Sequence, residues 1–125
     1  MAGTIVVVDD SAAIRLLLSR ALEQAGFEVA AAADGDEGLA RIRELAPALA
    51  VVDAQMPGKS GHELCAEVRA DSGLESQPRL IMLTAAAEEA DRRRAEEAGV
   101  DEFLGKPFDP AELVERVREL FEGGG

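Results

Sequence analysis

The stretch Ile5-Val6-Val7-Val8-Asp9-Asp10-Ser11 decides the fold. Four apolar residues in unbroken succession suit a short strand buried on both faces, not a strand with one face in water. Two carboxylates follow at once, where the chain must leave the sheet. Beyond them Ile14, Leu17, Leu18, Ala21 and Leu22 recur at spacings of three and four, the stripe of a core-facing helix. Asp10 or Ser11 can cap that helix, and Gly26 lies just past its end. One strand running through an acidic corner into a helix is thus legible within 26 residues.

The same unit recurs along the chain. Leu49 to Val52 and Leu80 to Leu83 are further continuous apolar runs, whereas Phe27, Val29 and Ala31 alternate with Glu28 and Ala30 in the manner of an edge strand. Val100 to Leu104 is a short, mixed fifth strand. Helical stripes fall between them: Leu39, Ile42 and Leu45, ended by Pro47, then Leu64 and Val68. A helix from Ala86 to Ala98 offers almost only alanine as its apolar surface. Leu113, Val114, Val117, Leu120 and Phe121 mark a last helix, with Pro110 in its first turn. Strand and helix alternate five times. Such alternation implies a single α/β domain: a five-stranded, doubly wound parallel sheet with right-handed crossovers. The domain is expected over residues 1–122, and 123–125 read as a glycine tail.

Composition narrows the function. At 125 residues the chain suits one domain, and 47% hydrophobic residues suffice for a core. Acidic residues outnumber basic ones 25 to 13, for a net charge of −12, which disfavours nucleic acid or an anionic membrane as partner. Cys65 is the single cysteine, so no intrachain disulfide forms and a reducing cytoplasm fits. Neither a signal peptide nor a membrane span is legible.

The ends of the strands carry the chemistry. In sheets of this kind ligands bind beyond the carboxyl ends of the strands. There the first strand runs into Asp9 and Asp10, the third into Asp53 and the fourth into Thr84, while Lys106 follows the fifth. Crowded carboxylates repel one another and favour a hard divalent cation such as magnesium, Mg2+. A carboxylate left partly free can attack phosphorus and form an acyl phosphate. Lys106 would neutralise the phosphoryl oxygens and Thr84 would donate a hydrogen bond to one of them. Taken singly, an acid after a strand is often a helix cap and a lone lysine is often solvated. Five such residues at four strand ends are hard to place by accident.

These segments resemble the receiver domains of two-component response regulators over almost the whole chain. Val8-Asp9-Asp10-Ser11 is similar to the family's acidic pair, and Val52-Asp53-Ala54-Gln55-Met56-Pro57 with Gly61 to its phosphoacceptor segment. Leu83-Thr84-Ala85 matches the switch-threonine segment and Gly105-Lys106-Pro107-Phe108 the lysine segment. The resemblance implies a flavodoxin-like (βα)5 fold and a phosphoacceptor switch that catalyses its own phosphorylation and dephosphorylation. Asp53 would take its phosphoryl group from a sensor histidine kinase or phosphotransfer protein. Asp10 and Asp53 would hold magnesium through their side chains, Asp9 largely through water, and Gln55 through its backbone carbonyl. Phe103 occupies the family's aromatic switch position; it lacks a tyrosine hydroxyl, so switching there rests on packing. A downstream protein or fused output domain would read the 86–121 face. Asp101 and Arg116 match positions of intersubunit ion pairs in one transcription-factor subfamily, which implies a phosphorylation-dependent homodimer.

From the residues themselves, Ala85 leaves room beside Thr84 for a phosphoryl group, and Gln55 and Ala86 flank the site. Several features carry less. Asp34-Gly35-Asp36-Glu37-Gly38 lacks the full pattern of a calcium loop and is expected to cap the second helix. His62 is expected to be solvated. Arg92-Arg93-Arg94, among Glu88, Glu89, Asp91, Glu96 and Glu97, reads as a salt-bridged helix face. Two other classes compete with the switch. A magnesium-dependent aspartyl-phosphate phosphatase or phosphotransferase would space its first-strand acids two residues apart and would need a substrate cap. A flavin module would need a phosphate-cradling loop where Asp9 and Asp10 stand.

Overall fold

The computed structural model describes residues 3–85, 89–106 and 109–123, without the side chains of 89–91 and 122–123. Within them five strands alternate with five helices: β1 (Thr4–Val8), α1 (Ala12–Gln24), β2 (Glu28–Ala32), α2 (Gly35–Leu45), β3 (Leu49–Asp53), α3 (Gly61–Ala70), β4 (Arg79–Thr84), α4 (Glu89–Glu97), β5 (Glu102–Gly105) and α5 (Pro110–Gly123). All strand pairs are parallel, in the order β2-β1-β3-β4-β5. The expected α/β fold is the one observed.

Alternation along the central strands divides the core in two. Ile5, Val7, Leu49, Val51, Ile81 and Leu83 point toward Leu18 and Leu22 of α1 and Leu113 and Val117 of α5. Val6, Val8, Ala50, Val52, Leu80 and Met82 point the other way, toward Leu39, Ile42, Leu64, Val68 and Ala95 of α2, α3 and α4. A strand with helices on both faces has no polar side to show, which is why these runs are unbroken.

Helix starts follow capping chemistry. Ser11, not Asp10, caps α1 by accepting from the Ile14 N–H. Asp34 caps α2 by accepting from the Glu37 N–H, so the acidic segment is a cap and a first helical turn, as expected. Ser60 and Glu63 form a reciprocal capping box on α3.

Several expectations need correction. Leu17 and Leu45 do not join their stripes; they are 45% and 38% exposed, because each lies at the margin of a helix face already filled by its neighbours. On β2 the buried end is Ala32, and Ala30 rather than Ala31 packs on the core, since this edge strand is flanked by helices on both faces. The fourth helix is described from Glu89, and Ala86 lies outside the described residues. The fifth strand is Glu102–Gly105, two residues later than Val100. The Arg92–Arg94 run is not salt-bridged to Glu96 or Glu97; Arg92 instead stacks on Phe103, 5.4 Å from its ring centroid. Glu88, and the side chains of Glu89 and Asp91, are not described.

Candidate functional site

Strand order makes the site. The sheet grows from β1 toward β2 on one side and toward β3 on the other, so the loops leaving β1 and β3 diverge and open a crevice at their carboxyl ends. Val8 pairs in register with Val52, which sets Asp9 beside Asp53. Asp53 in turn pairs with Leu83, which sets Thr84 at the next strand end.

Three of the polar groups are withdrawn from water. Asp9 is 1%, Thr84 3% and Asp53 4% exposed, whereas Asp10 is solvent-exposed. One carboxylate oxygen from each of Asp9, Asp10 and Asp53 lies within 4.8 Å of the other two. Lys106 answers this charge: its Nζ lies 3.1 Å from Asp53 Oδ1, which also accepts from the Gln55 N–H at 3.3 Å. The backbone sets the position of the lysine, since its N–H donates to the Thr84 carbonyl at 2.6 Å. Asp9, Asp10, Asp53, Thr84 and Lys106 therefore converge as their places at the strand ends require. Phe103 does not join them; it is half-buried on β5 against the α4 side of the core.

The electrostatics are those of a cation site. Burial pushes the Asp9 carboxyl above its ordinary value, with the charges of Asp53 and Asp10 acting in the same sense; the Ser11 N–H and Lys106 act against them. Asp9 Oδ1 accepts from the Ser11 N–H at 2.9 Å, but Oδ2 is buried with no hydrogen-bond donor among the described residues. An anionic oxygen in that position needs a cation. Three hard oxygen donors in one crevice fit magnesium.

Among the supporting residues, Gly61 belongs to a motif segment, whereas Arg15 and His62 carry no motif signal. Arg15, on the first turn of α1, donates to the Asp9 carbonyl at 2.8 Å and holds the acidic corner from below. Only the i, i+6 spacing across the helix start hints at it. Gly61 is required by proximity: a Cβ there would stand 2.3 Å from the Asp53 carbonyl oxygen. The Gly61 N–H donates to the Ala54 carbonyl, so α3 starts directly against the end of β3. His62, expected in solvent, is half-buried and lines a cavity with Met56, Thr84 and Arg94. Its position at the start of α3 does not reveal this partial burial.

The fold and the strand-end acids define a class, and the chain belongs to it: the response regulator receiver domain family matches residues 5–118, making this a receiver domain of two-component signalling. Among similar proteins, the DNA-binding response regulator MtrA of Mycolicibacterium paratuberculosis is 41% identical over 118 residues, covering 94% of this chain and 51% of the relative. The Vibrio cholerae chemotaxis protein CheY4 superposes with a TM-score of 0.88 at 31% identity, covering 95% of this chain and 98% of that one. A CheY-like receiver domain protein from Methanospirillum hungatei gives 0.89 at 32% identity, covering 98% and 96%. The chain spans about half the length of the curated relatives it matches. Receiver domains interact with histidine kinases, and these relatives do not favour the phosphatase reading. None of the described helices is long and apolar enough to cross a membrane.

Proposed function

We propose that Asp53 is the phosphoacceptor of a magnesium-dependent switch, a reading carried by the Lys106–Asp53 contact beside three converging carboxylates. Both hydrogen bonds to the Asp53 carboxylate go to Oδ1, which leaves Oδ2 for phosphorus. Attack forms the Oδ–P bond as the bond to the donor's leaving group breaks. Lys106 moves its pairing from carboxylate to phosphoryl oxygen, and the buried Thr84 hydroxyl supplies a further donor. Asp9, Asp10 and Asp53, with the Gln55 carbonyl, would hold magnesium, which when bound neutralises charge on the transferring oxygens. Positioning and neutralisation are most of what phosphoryl transfer needs. Hydrolysis of the same acyl phosphate by water resets the switch, with no diffusible substrate besides the donor.

The physiological donor is a sensor histidine kinase or a phosphotransfer protein. Output runs through the face formed by α4, β5 and α5, toward a protein partner or a fused domain. Contact with DNA, where the whole protein makes it, belongs to the half of such relatives that this acidic chain does not cover. Dimerisation through Asp101 and Arg116 must displace existing partners, because Asp101 pairs with Arg69 at 2.8 Å and Arg116 with Glu102 at 3.0 Å. Light scattering with beryllofluoride as phosphoryl mimic should show a dimer forming only with the mimic; a monomer in both states rejects it.

The acceptor is tested by incubating the chain with magnesium and phosphoramidate and recording its intact mass. One phosphoryl group is gained by the parent and none by Asp53→Asn. A folded, magnesium-binding parent that gains nothing overturns the reading.

A further inference from the structure

The cleft between α2 and α3 is lined by the acids Asp36, Glu67 and Asp71 and by the bases Arg43 and Lys59. Arg43 pairs with Asp71 at 2.7 Å. Lys59 pairs twice: its Nζ lies 3.2 Å from Asp36 Oδ1 on α2 and 2.5 Å from Glu67 Oε2 on α3. Its side chain is 18% exposed, although the Asp36 side chain is 86% and the Glu67 side chain 47% exposed. The start of α2 covers the lysine stem. A Cβ on Gly35 would stand 2.8 Å from Lys59 Cβ and 3.0 Å from Cγ, so the stem lies where only glycine leaves room. Gly35 has no left-handed φ, and proximity alone calls for glycine there. Asp34 thus caps α2, while Gly35 and Asp36 receive Lys59. The lysine belongs to the loop from β3 to α3. That loop is tied at its start, where the Ala54 N–H donates to the Leu83 carbonyl at 2.8 Å and the Ala54 carbonyl accepts from the Gly61 N–H at 3.0 Å. Beyond Gln55, the N–H groups of Met56, Gly58 and Lys59 donate to no oxygen among the described residues. The described contacts that hold the middle of the loop come from side chains, Met56 in the core and Lys59 at the cleft.

We infer that Lys59 is a positioning residue for the metal: by pinning the loop to α2 and α3, it keeps the Gln55 backbone carbonyl available to a magnesium ion at the carboxylate cluster. The inference rests on Asp9, Asp10 and Asp53 as the magnesium site. Magnesium demands near-ideal octahedral geometry, so a carbonyl on a wandering loop is a lost ligand. Groups that orient a ligand without touching the ion therefore act on affinity. The sign of the effect separates positioning from plain electrostatics. Lys59 is a cation, and removing a positive charge from this side of the molecule would strengthen the attraction for a divalent cation. Loss of positioning weakens binding instead. A lysine that merely decorates the surface would leave the metal unaffected or bind it more tightly when replaced.

The test titrates magnesium into the whole 125-residue chain at fixed ionic strength, read by calorimetry and by amide relaxation. Lys59→Met keeps an unbranched stem and removes the charge; its magnesium dissociation constant should rise about fivefold, with lower order parameters at Gln55, Met56 and Gly58. Lys59→Arg should recover most of the affinity. Gly35→Ala keeps every charge and displaces the lysine stem, so it should weaken magnesium in the same direction. Arg43→Met takes an equal charge from the same cleft without touching the loop, and should bind magnesium within about twofold of the parent or more tightly. A Lys59→Met chain that binds magnesium as well as the parent, or better, overturns the inference and leaves the carboxylate site standing. Equal weakening in Arg43→Met overturns it too, since the loop would then not be the cause. If the folded parent binds no magnesium, the carboxylate site fails first and the inference falls with it.

Discussion

Asp9 and Asp10 are chain neighbours in different media. Asp9 is buried with an oxygen that no donor among the described residues satisfies, while Asp10 faces water. The chain turns from strand to cap between them, and Ser11 takes the capping role that would otherwise consume an aspartate. Because burial raises the Asp9 pKa, the folded protein binds that proton more tightly than the unfolded chain does. The associated stability is fully present below the ordinary aspartate value of 3.8 and is lost as pH rises through the raised value. Above that raised value the metal-free protein carries an ionised, poorly solvated Asp9. Asp9→Asn should melt at a higher temperature than the parent without metal at pH above the raised Asp9 value, with a steeper acid limb, because the stability that Asp9 adds as pH falls is gone. The parent should gain about 2.7 kcal/mol at one hundred times its magnesium dissociation constant, and the variant much less. Thermal melts with and without magnesium from pH 3 to 8 check both; a destabilised metal-free variant would contradict the account.

At the scale of the element, α4 differs from its neighbours. Leu64, Cys65 and Val68 anchor α3, whereas Ala95 is the fully buried apolar side chain described for α4. A methyl group removes far less apolar area from water than a leucine, so by its described side chains α4 has a weaker apolar hold than α3. A second described contact is the Arg92 stack on Phe103, worth about 0.5–1 kcal/mol at a surface site. That contact links α4 to the aromatic position on β5 and gives Phe103, which has no hydroxyl, a partner to lose. Amide exchange in α4 should be faster than in α3 before phosphorylation and should slow after it. Identical protection in both states would remove α4 as the moving part.

Across the whole molecule, one arginine joins pieces that are far apart in sequence. From α3, Arg69 donates through Nε to the Gly99 carbonyl, through one terminal nitrogen to Gln77 and the Pro78 carbonyl, and through the other to Asp101. Asp101 also accepts from the Leu80 N–H at the start of β4. Gly99 is needed for this approach: its φ is +88°, and a Cβ there would stand 2.5 Å from Arg69 Cγ. This network closes the end of the sheet opposite the acidic site. Arg69→Ala leaves the Gly99 and Pro78 carbonyls and the Gln77 amide oxygen without this donor and takes the guanidinium from Asp101, which keeps the Leu80 N–H. It should cost about 2–3 kcal/mol, read as a lower urea midpoint. A midpoint equal to the parent's would show that water replaces the arginine.

The chain by itself determined the strands, the order of elements and the strand-end polar residues. Unbroken runs such as Ile5–Val8 leave few alternatives to a doubly covered strand, and a parallel strand must end where the next helix begins. Local pattern therefore reached Asp9, Asp10, Asp53, Thr84 and Lys106 directly. Tertiary structure alone decided which acid is buried, which leucines stay exposed, and what His62, Arg94 and Arg69 touch. Those depend on how loops fold back and helices settle across the sheet, contacts between residues tens of positions apart that no local spacing encodes. Asp101 shows the difference most plainly. The family resemblance implied a partner in another subunit for it, and within this chain packing pairs it with Arg69.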